Sequence, residues 1–301
     1  MTVVGNATPT PVSHGHNVYV LFSNGVVASF TADGAPRWTQ WMGERPMGMN
    51  GYESGQAASP VLAGKNLVVA AGRLRGLDAD DGHTLSDAAP YLDFGTPALA
   101  HPSDGDVLIT PQGTVRRISD GTVVARKLDA VFYQGPVVQE RRAYFVGSEG
   151  DINLVKIGNA TASAFELPET IAGEVRPLWN QKLTVERYYA SPLQRDGRLY
   201  AASEAGQLAV LDAATGILLA QRSLDLAPGP VYASLTLAGR DLFVSNEQGS
   251  SIVLGLPGLT EVARNQPEPF RSTPLFHGRR MYIRGQGRHW CIEERPPNRR
   301  K

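Results

Sequence analysis

Cysteine is almost missing from this chain: Cys291 is the only one in 301 residues. An internal disulfide and a cysteine-rich zinc site are thereby excluded, and sulfur usage says nothing about the compartment. A lone thiol of this kind is expected in the core. Net charge is missing too, since 29 Lys and Arg balance 29 Asp and Glu. No overall field draws nucleic acid or an anionic membrane, and neither is expected as a partner. No apolar run approaches the roughly 18 residues of a spanning helix, so no transmembrane segment is expected. The opening "MTVVGNATPTPV" lacks the charged and apolar regions of a signal peptide. Amphipathic helical periodicity is nearly absent, which excludes helical solenoids and α/β folds.

What is present is an ordinary globular composition, 42% hydrophobic and 19% charged, arranged in short strands. In "YYASPLQRDGRLYAASEAGQLAVLDAATG", from Tyr188, the turns "RDG", "EAG" and "AATG" separate three strands and lead to a fourth, "ILLAQRSL". Aspartate or glycine at such turns permits the positive φ that closes a hairpin. The unit reads as a four-stranded antiparallel meander. Similar units open at Thr10, Ser59, Thr96, Gly135, Ser191, Ser234 and Thr273, which makes seven, spaced by about 44 residues as in propeller blades. A blade must cover both faces, and packing seven around an axis covers them.

The predicted fold is therefore all-β: a seven-bladed β-propeller of four-stranded antiparallel blades, one domain over residues 1–294 with a solvated basic tail at 295–301. Nothing after "EERPPNRRK" supplies an outer strand for the seventh unit, so Thr2–Gly5 is expected to complete that blade and close the ring. The longest unit carries "GNATASAFELPETIAGEV", read as an extended turn. Trp38 and Trp179 occupy similar places in fourth strands and are expected to wedge between neighbouring sheets.

"LYAASEAGQLAVLDAATG", followed by a fourth strand that carries Trp in two units, resembles the pyrroloquinoline-quinone-type (PQQ-like) propeller repeat. The match is closest to exported bacterial proteins related to the outer-membrane assembly scaffold lipoprotein. "RYYASPL" and "MYIRGQGRHWCIE" are similar to the version common in planctomycete-type genomes. The resemblance covers nearly the whole chain, and it implies a periplasmic or otherwise extracytoplasmic setting and a scaffold role rather than a reaction. Members of this kind usually carry eight blades and a further N-terminal stretch. The quinone-dependent dehydrogenases of the wider family also use an adjacent cysteine pair and a calcium site near the axis. With Cys291 alone that platform is impossible, so no cofactor, PQQ included, and no metal is expected.

In a propeller, the loops that precede each innermost strand ring the central channel. Here they are rich in aromatics, namely Tyr52, Tyr91, Phe94, Phe132, Tyr133, Tyr188, Tyr189, Tyr232 and Phe270. Gln134 lies among them, and Glu44, Arg45, Glu53, Asp93, Arg187 and Arg271 add charge. Tyrosine and arginine with little lysine is the composition of a recognition surface. Tyr52, Glu53, Asp93, Tyr133, Gln134, Arg187, Tyr188, Tyr189, Tyr232 and Arg271 are the candidate contacts for a protein partner or small ligand, bound by a monomer. Trp41, Met42, Met47 and Met49 form a second candidate patch.

Catalytic signatures are absent from the sequence: no His-Glu-x-x-His, no Gly-x-Ser-x-Gly and no phosphate loop. "HGH" at His14–His16 and "DADDG" at Asp78–Gly82 read as turns; the latter has Ala89 where a calcium loop needs an acid. The expectation is a non-catalytic binding module. The alternative is an enzyme, either a divergent quinoprotein oxidoreductase or a carbohydrate-active propeller.

Overall fold

The computed structural model describes residues 9–43, 57–91, 94–126, 128–148, 160–184 and 186–293. Seven antiparallel sheets follow one another in a ring, each a meander whose strands pair in chain order. No helix occurs among the described residues, and none is long and apolar enough to cross a membrane.

Blade 5 shows the pattern, with strands Leu193–Arg195, Arg198–Ala202, Gln207–Asp212 and Leu218–Ser223. Blades 1, 3, 4 and 6 repeat it from Val12, Ala98, Val137 and Thr236. In blade 2 the two middle strands are one continuous element, Asn66–Asp78. Its first part pairs with Val61–Ala63 and its second with Thr84–Tyr91. The ends of this element meet where Ala79 N–H donates to Lys65 O at 2.9 Å, as Ala213 donates to Gly197 O in blade 5 at 2.8 Å. Gly72, at φ +67°, makes the fold-back, a conformation that costs a side-chain-bearing residue more than glycine. Blade 7 has three described strands, Leu275–His277, Arg280–Arg284 and His289–Glu293. The proposed closing strand, Thr2–Gly5, lies outside the described residues.

Six apolar clusters join the blades in succession. Tyr19, Leu21 and Val27 pack on Leu67, Val69 and Leu77 between blades 1 and 2. Further clusters couple blades 2 to 3, 3 to 4, 4 to 5, 5 to 6 and 6 to 7. None joins blade 7 to blade 1 among the described residues. The core is thus a set of interfaces between sheets rather than one central mass, because each sheet's two faces are apolar by strand alternation.

The two tryptophans wedge as expected. Trp38 Nε1 donates to Ala79 O and Trp179 Nε1 to Ala213 O, each at 3.2 Å and each in the next blade. Each ring lies against a turn glycine, Gly82 or Gly216, where an added Cβ would come within 2.6 Å of the indole. Each also tilts 42° to a tyrosine 6.1 Å away, Tyr19 or Tyr144.

Two expectations are corrected. Cys291 is exposed, not buried, because its strand belongs to blade 7, which among the described residues shares no apolar cluster with blade 1. The stretch expected as an extended turn contains a strand, Ala160–Glu166, which pairs residue for residue with Arg142–Ser148. Its inward side chains are Ala160, Ala162 and Ala164, all fully buried against blade 5. Such small side chains give almost no apolar alternation to read.

Candidate functional site: the channel mouth

The seven opening residues, Thr10, Ser59, Thr96, Gly135, Ser191, Ser234 and Thr273, all line one central cavity of about 850 Å³. Their recurrence has a geometric cause. Thr10 N–H donates to Ser59 Oγ and Ser59 N–H to Thr96 Oγ1, both at 2.9 Å. Gly135 N–H donates to Ser191 Oγ at 3.1 Å and Ser234 N–H to Thr273 Oγ1 at 3.0 Å. Each hydroxyl thus accepts from the blade before it, a stitch of about 0.5–1.5 kcal/mol per bond. Blade 4 opens with glycine because a Cβ there would lie 2.4 Å from Thr96 O. At that closest approach the backbone makes the link itself, as Phe94 N–H and Gly95 N–H donate to Phe132 O at 3.0 and 3.2 Å.

Two residues before each opening stands the side chain that faces the mouth. Around the ring these positions read Ala57, Phe94, Tyr133, Tyr189, Tyr232 and Arg271 for blades 2 to 7, and all six line the cavity. From blade 3 onward each touches the next. Phe94 lies 5.5 Å from Tyr133, Tyr133 4.7 Å from Tyr189 at 74°, and Tyr189 4.8 Å from Tyr232 at 44°. Arg271 closes the series 5.0 Å over the Tyr232 ring. Phe132 backs it, edge-on to Tyr133 at 4.9 Å. The result is a continuous arc of half-buried rings ending in a cation, with small Ala57 opposite. Edge-to-face and tilted pairs of this kind add about 0.5–1.5 kcal/mol each beyond burial, so the arc is preorganised.

Arg271 is held by Glu247 Oε2, which accepts from its Nε at 3.0 Å and its Nη2 at 2.6 Å. Burial pushes the Tyr232 phenol above its ordinary pKa, with Tyr189 and Glu247 adding to the rise. The ring therefore stays neutral and available as a donor near neutral pH. Glu247 was missed in the sequence because it lies in the hairpin between the two middle strands of blade 6, not in the loops that precede an opening.

Several of the sequence's candidates do not line the cavity. Gln134 and Tyr188 are fully buried, and Gln134 Nε2 donates to Tyr188 O across the interface of blades 4 and 5. Gln134 stands where other blades place buried alanines, Ala58, Ala190 and Ala233, and it works as a tie between sheets. Burial raises the Tyr188 pKa, as for a core phenol. Phe270 is likewise core, packed on Phe243 and Ile283. Arg187 is half-buried beside the arc without lining the cavity. Tyr91 falls within the strand Thr84–Tyr91. Tyr52, Glu53 and Asp93, with Glu44, Arg45, Met47 and Met49, lie outside the described residues. In the second patch Met42 is buried while Trp41 is exposed.

Among the described residues, the one cluster with metal-ligand spacing is Asp78, Asp81 and His83. It sits in the outer turn of blade 2, where Asp81 Oδ1 accepts from His83 N–H at 3.0 Å, and none of the three lines the cavity.

Fold and mouth together define a β-propeller of PQQ-like repeats with an aromatic-lined channel. The chain belongs to the family described as outer membrane protein assembly factor BamB, whose model matches residues 70–295. Its structure is similar to that of BamB from Moraxella catarrhalis, with a TM-score of 0.66, 14% identity, and 93% of this chain and 81% of that one covered. It is also similar to the computationally designed Ika8 protein, with a TM-score of 0.67, 13% identity, and 94% and 82% covered. A third likeness is to quinohemoprotein alcohol dehydrogenase from Comamonas testosteroni, with a TM-score of 0.70 and 12% identity. There the alignment takes 92% of this chain but only 64% of the other. At such identities the likenesses show the fold alone. No curated protein sequence matches.

Proposed function

We propose that this chain is a non-catalytic binding propeller, set outside the cytoplasm, that recognises a protein partner or small ligand at the channel mouth. The observation that carries the reading is the unbroken series Phe94, Tyr133, Tyr189, Tyr232 and Arg271 at one equivalent position of five consecutive blades. Rigid amphipathic rings lose little entropy on contact, and an arginine fixed by Glu247 sets register. The family description, an assembly factor, supports a partner that is itself a protein. The residues present do not fit a quinone cofactor of the kind the wider family binds. The one cysteine is exposed on the last blade and cannot form an adjacent pair, and the Asp78, Asp81 and His83 cluster of blade 2 stands away from the cavity.

Replacing Tyr133, Tyr189 and Tyr232 together with alanine tests the reading. Proteins retained from an extract of the source cells by the native chain are expected to be lost by the variant, which still unfolds in one cooperative transition at a moderately lowered melting temperature. A collapse in melting temperature would make these rings core instead. Dye-linked oxidation by the native chain, supplied with pyrroloquinoline quinone and calcium, would overturn the non-catalytic assignment.

A further inference from the structure

The far end of the propeller carries a charge pattern that the neutral overall balance conceals. Each sheet's first hairpin lies at this end, one strand length from the mouth. In blades 4 to 7 those hairpins carry Arg141, Arg142, Arg195, Arg198, Arg240 and Arg280 against Glu140, Asp196 and Asp241. The turns between third and fourth strands lie at the same end, farther from the axis. They, or the strand ends beside them, carry Asp33, Asp80, Asp81, Asp120, Asp212 and Glu261. Several of these charges pair locally, Lys65 with Asp80, Arg117 with Asp120, Arg264 with Glu261 and Arg280 with Glu293, so the arginine excess is confined to the inner hairpins of blades 4 to 7.

Between blades 5 and 6 these hairpins border a cavity of about 480 Å³. Arg195, Arg198 and Arg240 line it with a single carboxylate, Asp196, leaving two positive charges in excess. Tyr200, Leu237, Leu256 and Pro257 supply apolar surface. Arg195 pairs with Asp196 at 3.2 Å, but both side chains are well exposed, so the pair holds weakly. Arg198 Nη1 donates to Pro257 O at 2.8 Å, a neutral partner that leaves its charge uncompensated. Arg240 is exposed and forms no ion pair among the described residues.

We propose that this cavity docks an extended segment of another protein in which acidic and apolar residues alternate. An extended chain sends successive side chains to opposite sides, so carboxylates meet Arg198 and Arg240 while apolar residues rest on Leu237 and Leu256. Guanidinium binds carboxylate through paired N–H donors. The three guanidinium groups surround one cavity between two blades, which suits a narrow ligand. A single strand can enter the cavity and reach these cations, whose field extends about 8 Å at physiological salt. This site shares no residue with the mouth, so it stands or falls separately from the function proposed above.

The test is fluorescence anisotropy with a labelled peptide of alternating Glu and Leu, beside its Gln-Leu counterpart and vesicles of phosphatidylglycerol. The Glu-Leu peptide is expected to bind the native chain about tenfold more tightly than the Gln-Leu peptide, a difference of about 1.4 kcal/mol. The double variant Arg195→Glu/Arg240→Glu is expected to abolish that preference, and Arg271→Ala at the mouth to leave it intact. Should the double variant melt early, Arg240→Gln removes one exposed charge and is expected to weaken binding several-fold. Equal affinity for the two peptides overturns the proposal, as does unchanged binding by the variants. Vesicle binding sensitive to the same substitutions, without peptide binding, overturns it in favour of a lipid surface.

Discussion

Blades 5 and 7 share a sequence pattern but not an environment. In blade 5 the cross-strand row Leu193, Tyr200 and Val210 packs on blade 6, and Tyr200 is 1% exposed. The matching row of blade 7 is Leu275, Tyr282 and Cys291, in which Leu275 is 64% and Tyr282 37% exposed. The equivalents of Tyr282 in the other six blades, Tyr19, Val68, Ile109, Tyr144, Tyr200 and Phe243, are all 6% exposed or less. Across from this open row, Trp41 lies on the face of blade 1 turned away from blade 2 and is 66% exposed. One apolar pattern is core where the next sheet covers it and bare surface where it does not. The position of a blade in the ring, not its own residues, decides which.

That comparison breaks most readily on stability. Tyr200→Ala is expected to cost about 3–5 kcal/mol in urea unfolding, as for other fully buried aromatics, and Tyr282→Ala less than about 1 kcal/mol. Equal losses would mean that blade 7 is as well covered as blade 5 in solution. A smaller contrast concerns the turns. Gly216 and Gly278 both have positive φ, but an added Cβ at Gly216 meets the Trp179 ring at 2.6 Å while at Gly278 it meets nothing within 4 Å. Gly278→Ala is expected to cost about 1–2 kcal/mol from backbone strain alone. Gly216→Ala adds overpacking of about 1–3 kcal/mol to that; denaturant midpoints of the two variants read the difference.

The smallest perturbation needs almost no change in stability. Cys291 is expected to react with a thiol reagent in the folded protein at the rate of an open thiol. A cysteine at its counterpart in blade 5, Val210→Cys in a Cys291→Ser background, is expected to react only on unfolding, since Val210 is 1% exposed. Slow labelling of Cys291 would show the last blade covered.

The repeat was legible in the residues because each blade restates the same turn chemistry and the same opening Ser, Thr or Gly. The tryptophan wedges and the tyrosines of the mouth followed from their place in that repeat. The strand Ala160–Glu166 was not legible, because alanine alternating with threonine and serine carries little apolar contrast. Gln134 and Tyr188 were indistinguishable from the residues beside them: neighbours in the chain point opposite ways, and only the packed blades show that Tyr189 reaches the cavity while Tyr188 enters the core.

By itself, then, the order of amino acids determined local matters: where each strand turns, how many sheets form, and which loops are aromatic. Those depend on φ preferences and alternation within a few residues of chain. Exposure of Cys291, the contact of four aromatic rings in sequence, and the gathering of three arginines around one cavity were decided only by tertiary structure. Each of these depends on which sheet lies beside which, and the residues that meet there come from blades about 40 residues or more apart.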